Sequence, residues 1–198
     1  GGPFTVLNYM IEGGTSKTHS KIKAFIKNKR EQANDIIKIV TEISIEYLKK
    51  QIENGANYVQ IFESWAGLLE REEYIEFIIK PNQQISEEIR DFSKHTKIIH
   101  FPRGSRKNYK IFAEEVQCDV LSLDQTYPKE LPRFLREKGI TVQGNLDPQE
   151  LLKEEDRVEE KTKEVLVKFK SNNHIFNLSH GILPKTKISN IEKVIKVV

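Results

Sequence analysis

Short apolar, β-branched runs alternate with longer stretches of three- and four-residue periodicity from one end of this 198-residue chain to the other. The short runs read as strands and the longer stretches as amphipathic helices. Strand candidates lie at residues 4–7, 58–62, 97–101, 120–123, 140–143 and 175–178, and helix candidates at 33–54, 72–93, 109–116, 129–138, 156–170 and 190–197. The clearest helix carries Ile36, Ile37, Ile39, Val40, Ile43, Ile45, Tyr47, Leu48 and Ile52 before Gly55 stops it, and Gly139 ends a later one in the same way. Strands joined through single helices pair in parallel, because a parallel crossover needs about a dozen residues.

Two architectures satisfy that pattern, an open doubly wound sheet and a closed (β/α)8 barrel. The open dinucleotide-binding sheet predicts a Gly-x-Gly-x-x-Gly turn after its first strand; here Gly13-Gly14 follows Glu12 and leads into a Lys-rich stretch. A barrel needs eight strands and typically about 250 residues. Six strands in 198 residues therefore favour an α/β fold of (β/α)8 TIM-barrel type, incomplete, with about six of the eight β/α units present. The chain opens Gly1-Gly2-Pro3 without methionine, which reads as a processed end or a fragment. No low-complexity segment or flexible linker interrupts it, so residues 1–198 are expected to form one domain truncated at its amino terminus.

Composition narrows the functional classes. Thirty-two basic residues against 29 acidic ones give a net charge of +3, and the two signs are interleaved as on solvated helix faces, which does not predict nucleic-acid binding. Cys118 is the single cysteine, so no internal disulfide forms, a reducing compartment is expected, and a Cys-based zinc or iron–sulfur site is excluded. The histidines His19, His95, His100, His174 and His180 show no paired metal-ligand spacing. No apolar run approaches the ~20 residues that span a bilayer, and the start lacks a secretory h-region. These features predict a cytoplasmic protein with no membrane partner and no metal.

Chemistry in parallel α/β folds collects at the carboxyl ends of strands. The polar residues there are Asn8, Tyr9 and Glu12, then Glu63, Ser64 and Trp65, then Arg103, Asp124, Asn145 and Asp147, and finally Ser179 and His180. His180 stands where the apolar run Ile175, Phe176, Leu178 breaks into a Gly/Pro turn, and imidazole can donate, accept or carry charge near neutral pH. Each has a plainer reading too. Asn145 and Asp147 before Pro148 fit turn and helix-cap roles, Ser64 beside Trp65 fits a loop hydroxyl, and Tyr9 fits a rim aromatic. Ser64 lacks the Gly-x-Ser-x-Gly elbow, which argues against a serine hydrolase. Several of these positions adjoin glycine, which lets backbone approach a ligand closely.

Four blocks in order, Gly2-Pro3-Phe4-Thr5 with Tyr9-Met10-Ile11-Glu12-Gly13-Gly14, Gln60-Ile61-Phe62-Glu63-Ser64-Trp65-Ala66-Gly67, Gln143-Gly144-Asn145-Leu146-Asp147-Pro148, and Asn177 to Pro184, resemble the uroporphyrinogen decarboxylase family over essentially the whole chain. The resemblance implies a (β/α)8 barrel, a homodimer, and cofactor-free decarboxylation of the four acetate side chains of uroporphyrinogen III to give coproporphyrinogen III in haem synthesis. It assigns substrate binding to Tyr9, Ser64 and His180. A phenol, a hydroxyl and an imidazole are donors that suit a substrate carrying eight carboxylates.

The family's amino-terminal Arg-Gln-x-x-Arg signature and its aspartate facing the pyrrole nitrogens do not occur in these residues, so the resemblance identifies a carboxy-terminal part that is inactive alone. The stretch Pro102-Arg103-Gly104-Ser105-Arg106-Lys107 is more basic than the family's usual Lys-Gly element. Arg103 there has two readings, a contact to substrate carboxylates or a solvated loop side chain. Ser179 stands where glycine is usual. Two other functions compete. A corrinoid-dependent methyltransferase on the related barrel would need zinc held by cysteine and histidine. A truncated remnant would bind a porphyrinogen weakly or do nothing.

Overall fold

The first apolar run is a helix, not a strand. In the computed structural model, which describes residues 1–14 and 16–198, Pro3–Glu12 forms α1 with Pro3 in its first turn, where a missing N–H costs nothing. Phe4 and Leu7, three residues apart, are fully buried on it. Gly13 closes it at φ 76°, its N–H reaching the Tyr9 carbonyl at 3.0 Å. Gly2-Pro3 at one end and Gly13 at the other outweigh the β-branched pair Thr5 and Val6. Tyr9 therefore sits on a helix instead of at a strand end.

The chain divides into two compact units, Gly1–Cys118 and Asp119–Val198. In the first, α1 is followed by α2 (Ser20–Asn28) and α3 (Arg30–Glu53), then strand β1 (Tyr58–Glu63). Helix α4 (Arg71–Tyr74) runs through a π-helical turn, Ile75–Ile79, into α5 (Lys80–Phe92), and β2 (Lys97–Pro102) and α6 (Asn108–Glu115) complete the unit. β1 and β2 are parallel, with Tyr58 beside Lys97 and Glu63 beside Pro102. Ile45 and Leu48 of α3, Val59 and Ile61 of β1, Ile85 and Ile89 of α5 and Ile98 of β2 make one apolar cluster. Burial of each such side chain contributes roughly 1.5–3 kcal/mol. On α3 the stripe Ile39, Ile43 and Tyr47 faces outward, exposed by 55–64%. Glu76 of the π turn pairs with Arg30 and accepts from Asn34 Nδ2 at 2.7 Å, which ties the start of α3 to that turn.

The second unit runs β3 (Val120–Ser122), α7 (Leu131–Glu137), β4 (Thr141–Gln143), α8 (Glu155–Phe169), β5 (His174–Ile175) and α9 (Ile188–Val197). β4 lies parallel to β3 and to β5, with Val120 beside Thr141 and Val142 beside His174. The strands expected at 120–123, 140–143 and 175–178 are present within a residue or two, the last short but extended by a parallel bridge between Leu146 and Leu178. Parallel strands alternating with helices place the chain in the α/β class of (β/α)8-barrel type, with five of the strands among the described residues. Among those residues no helix is long and apolar enough to cross a membrane.

His100 in β2 shows what this core does to an ionisable group. It is fully buried, its Nε2 2.8 Å from Ser86 Oγ and its ring 5.4 Å from that of Phe112. Burial, with a smaller contribution from the Arg90 charge, pushes its pKa from 6.5 down to about 3. The neutral imidazole contributes stability that is fully present above the unfolded value of 6.5 and is lost as pH falls toward 3. Between pH 7 and pH 4.5 the unaltered protein should lose roughly 3 kcal/mol relative to a His100→Asn variant. Urea denaturation of both proteins at the two pH values checks this, and parallel slopes would contradict it.

Candidate active site

Glu63 is the last residue of β1 and shares the buried face of that strand with Val59 and Ile61. Its carboxylate meets the amino end of α1. Oε1 accepts the Phe4 N–H at 3.2 Å and Asn82 Nδ2 at 3.2 Å, and Oε2 accepts the Thr5 N–H at 3.0 Å and the Thr5 hydroxyl at 2.9 Å. The Gly2 N–H donates to the Phe62 carbonyl at 2.8 Å. The residue before α1 provides no side-chain cap, so Glu63 supplies from 58 residues away the acceptor that the first turn lacks. The fit leaves no room at position 2, where a Cβ would sit 2.3 Å from the Glu63 carboxyl carbon.

A second carboxylate repeats the device. Glu12, near the end of α1, accepts the Ile22 N–H of α2 at 3.0 Å, and that hydrogen bond holds its pKa below the usual carboxylate range. His19 precedes α2 in the left-handed region at φ 51° and is buried. Its Nδ1 lies 3.0 Å from Asn8 Oδ1, and its ring lies 4.2 Å from that of Trp65. Trp65 in turn meets Tyr9 edge to face at 6.3 Å. The first unit thus brings Tyr9 to Trp65, the residue after Ser64. Arg103 follows β2, its N–H on the Glu63 carbonyl at 3.1 Å and its carbonyl accepting the Gly67 N–H at 3.0 Å. Arg103 as a whole is half-buried. The loops after β1 and β2 touch backbone to backbone, and a Cβ on Gly67 would lie 2.6 Å from the Gly104 oxygen.

In the second unit the ladder between the fourth and fifth strand segments carries on past the strands. The Gly144 N–H reaches the Ile175 carbonyl at 3.0 Å, that of Leu146 reaches Asn177 at 3.0 Å, and that of Ser179 returns to Leu146 at 2.8 Å. Ser179 is buried; His180, the first residue past this ladder, is exposed, and its Nδ1 accepts the Gly181 N–H. Asp147 caps its turn through the Gln149 N–H at 2.9 Å. Asn145 differs from the expected cap, because its Nδ2 donates to the Asp124 carbonyl at 2.7 Å and cross-links two strand ends. Asp124 accepts the Thr126 N–H and hydroxyl, both at 2.7 Å. A cavity of about 270 Å³ beside Asn145 is lined by Arg157, Lys161 and Lys168 and also by Asp147, Glu150 and Glu164. Its charges balance. Partial desolvation lowers the pKa of Lys168, whose Nζ lies 3.4 Å from Asn145 Oδ1.

The sequence pattern singles out Tyr9, Ser64, Arg103 and His180. It counts Glu63 only among the polar strand-end residues, without a role, and passes over His19 as a site-building group. For Glu63 the signal is present, since period-two counting from Val59 and Ile61 puts it on the buried face. His19 has no such signal, because its partners Asn8 and Trp65 lie 11 and 46 residues away in opposite directions. Among the described residues no three His, Cys, Asp or Glu side chains cluster as a metal site.

A family model described as uroporphyrinogen decarboxylase (URO-D) matches residues 1–198. The chain belongs to the uroporphyrinogen decarboxylase family. It is 39% identical over 198 residues to a uroporphyrinogen decarboxylase of Rickettsia bellii, covering 100% of this chain and 58% of that one. It is 40% identical over 200 residues to that of Orientia tsutsugamushi, again covering 100% and 58%. The chain thus spans a little over half the length of these curated relatives. Among solved structures, a methyltransferase from Methanosarcina mazei superposes with a TM-score of 0.75 at 16% identity, over 99% of this chain and 56% of the other. That likeness shows a shared fold.

Burial pushes the Glu63 pKa up to about 7 from 4.5, against the pull of its hydrogen bonds to Thr5, Asn82 and Phe4. The folded protein therefore holds this proton more tightly than the unfolded chain does. The resulting stabilisation is fully present below pH 4.5 and is lost as pH rises through about 7. Across that interval the unaltered protein should lose about 3 kcal/mol relative to Glu63→Gln. Denaturant titrations of the pair at pH 4.5, 6 and 7.5 measure it, and a gap between them that stays constant would refute it.

Proposed function

We propose that these residues form part of a uroporphyrinogen decarboxylase acting without a cofactor on uroporphyrinogen III. The observation that carries the reading is the family match along all 198 residues, with Tyr9, Ser64 and His180 standing at the positions the resemblance assigns to substrate. Each acetate side chain must lose carbon dioxide and gain one proton to become a methyl group. The protein must orient carboxylates, deliver a proton to a ring carbon and stabilise the cationic ring that results.

The side chains present suit the first of these tasks. Tyr9 is 44% exposed on α1 and anchored edge-on to Trp65. Its phenol is therefore available as a donor while its ring is held. Ser64 is half-buried beside it in sequence to Trp65. In the second unit, the ladder through Ser179 delivers an exposed imidazole at His180. We read Arg103 as a further contact to substrate carboxylates through its guanidinium. The arginines and the aspartate that the resemblance associates with carboxylate binding and ring stabilisation are not among these residues. The proposal accordingly assigns full activity to a protein that supplies them, working in the cytoplasm as a homodimer.

Conversion of uroporphyrinogen III to coproporphyrinogen III, followed by chromatography, tests the reading. The full-length protein should turn over, whereas residues 1–198 alone should show negligible product. Tyr9→Phe, Ser64→Ala and His180→Ala should each lower kcat/KM by about 10- to 100-fold, since a hydrogen bond to a charged group contributes roughly 1.5–3 kcal/mol. Robust product from residues 1–198 alone, or full activity in all three variants, would overturn it.

A further inference from the structure

We propose that Glu63 is a positioning residue for the reaction, the group that sets where Tyr9 stands relative to Ser64. This rests on the reading of Tyr9 and Ser64 as substrate-binding residues and adds to it a residue that does not itself touch substrate.

The geometry is a closed ring of contacts. Thr5 donates to Glu63 through both its N–H and its hydroxyl, at 3.0 and 2.9 Å. Tyr9 follows Thr5 by four residues on α1, so the two lie on one face of the helix a single turn apart. The Tyr9 ring rests against Trp65, and Trp65 follows Glu63 by two residues with Ser64 between them. Asn8, four residues beyond Phe4 in the same way, closes a second path through His19 to Trp65. Glu63 thus belongs to the backbone that carries Ser64 and also grips the helix that carries Tyr9. Its two oxygens answer four donors from α1 and α5. Glutamine keeps the size but has one acceptor oxygen and turns an amide N–H₂ toward donors. Helix α1 must then shift or rotate, and the phenol shifts with it.

Trp65 lies against both Tyr9 and His19, so the part of the emission that a Trp65→Phe variant loses reports the seating of α1. The decisive measurement is a double-mutant cycle in the full-length protein, with kcat and KM for uroporphyrinogen III taken per folded molecule for Glu63→Gln, Tyr9→Phe and the pair. Glu63→Gln should lower kcat about tenfold, raise KM severalfold and move the Trp65 emission maximum. In its background Tyr9→Phe should cost less than threefold instead of tenfold or more. A purely structural glutamate would lower the melting temperature while leaving KM, emission and the Tyr9→Phe effect unchanged, and that result overturns the proposal. Should Glu63→Gln fail to fold, Thr5→Val removes one of the four donors and leaves the carboxylate in place. It should move kcat, KM and emission in the same direction by a smaller factor, and wild-type values for all three would equally overturn the proposal. A full-length protein that does not decarboxylate at all takes down both readings, whereas normal turnover with strictly additive variants takes down only the positioning role.

Discussion

Burying a carboxylate at the end of a strand is unfavourable unless donors replace the lost water, and at Glu63 the replacements all come from elsewhere in the sequence. Two are the unsatisfied N–H groups of a helix start, one is a hydroxyl on that same turn, and one is an amide from α5. Each partner solves the other's problem. The first turn of α1 would be an exposed set of orphan donors, and Glu63 would be a stranded charge. Together they fix the entry of the chain against β1, and through it the residues on α1 that follow. The tight approach at Gly2 belongs to the same arrangement, because any side chain there would displace the carboxyl group.

The second unit holds its exposed imidazole by a different principle. No buried charge is involved; a backbone ladder simply runs beyond the residues that qualify as strand, through Leu146 and Leu178, until Ser179. His180 then emerges from a fixed point. Asn145 supports this by bonding across to the Asp124 carbonyl, which joins the ends of two neighbouring strands. A carboxamide gives this link without introducing a charge beside the acidic side chains Asp124 and Asp147.

Much of this was legible in the sequence. The β1 to β5 segments carry period-two or continuous apolar runs bounded by turn residues, and α3, α5 and α8 carry periodicity long enough to be unambiguous. Four residues at 4–7 were too few to distinguish the two periods, and there the bracketing Pro3 and Gly13 were better guides than the β-branched content. Helix α2 was illegible for a physical reason: its cap is Glu12, on another helix, and its own preceding residue is a left-handed histidine. The family motifs single out Tyr9, Ser64 and His180, which are exposed or half-buried in the fold, but not the elements that carry them. What holds those elements is long-range pairing such as Glu63 with Thr5, and a single chain without its fold does not display that.

The backbone contact between Gly67 and Gly104 makes the loops after β1 and β2 a single mechanical part. Neither can gain a side chain at the contact, and Gly104 also occupies a left-handed conformation at φ 78°. Anyone wishing to reshape the rim of this site, to admit a bulkier ligand or to graft in a longer loop, therefore cannot treat these two segments as separate design variables. Lengthening one displaces the other, along with Arg103, whose carbonyl and N–H are both engaged at the joint. The tractable place for redesign in the first unit is further along the chain, at the exposed side chains of Arg106 and Lys107, with the Arg106 carbonyl kept in place for the Tyr109 N–H at 3.2 Å.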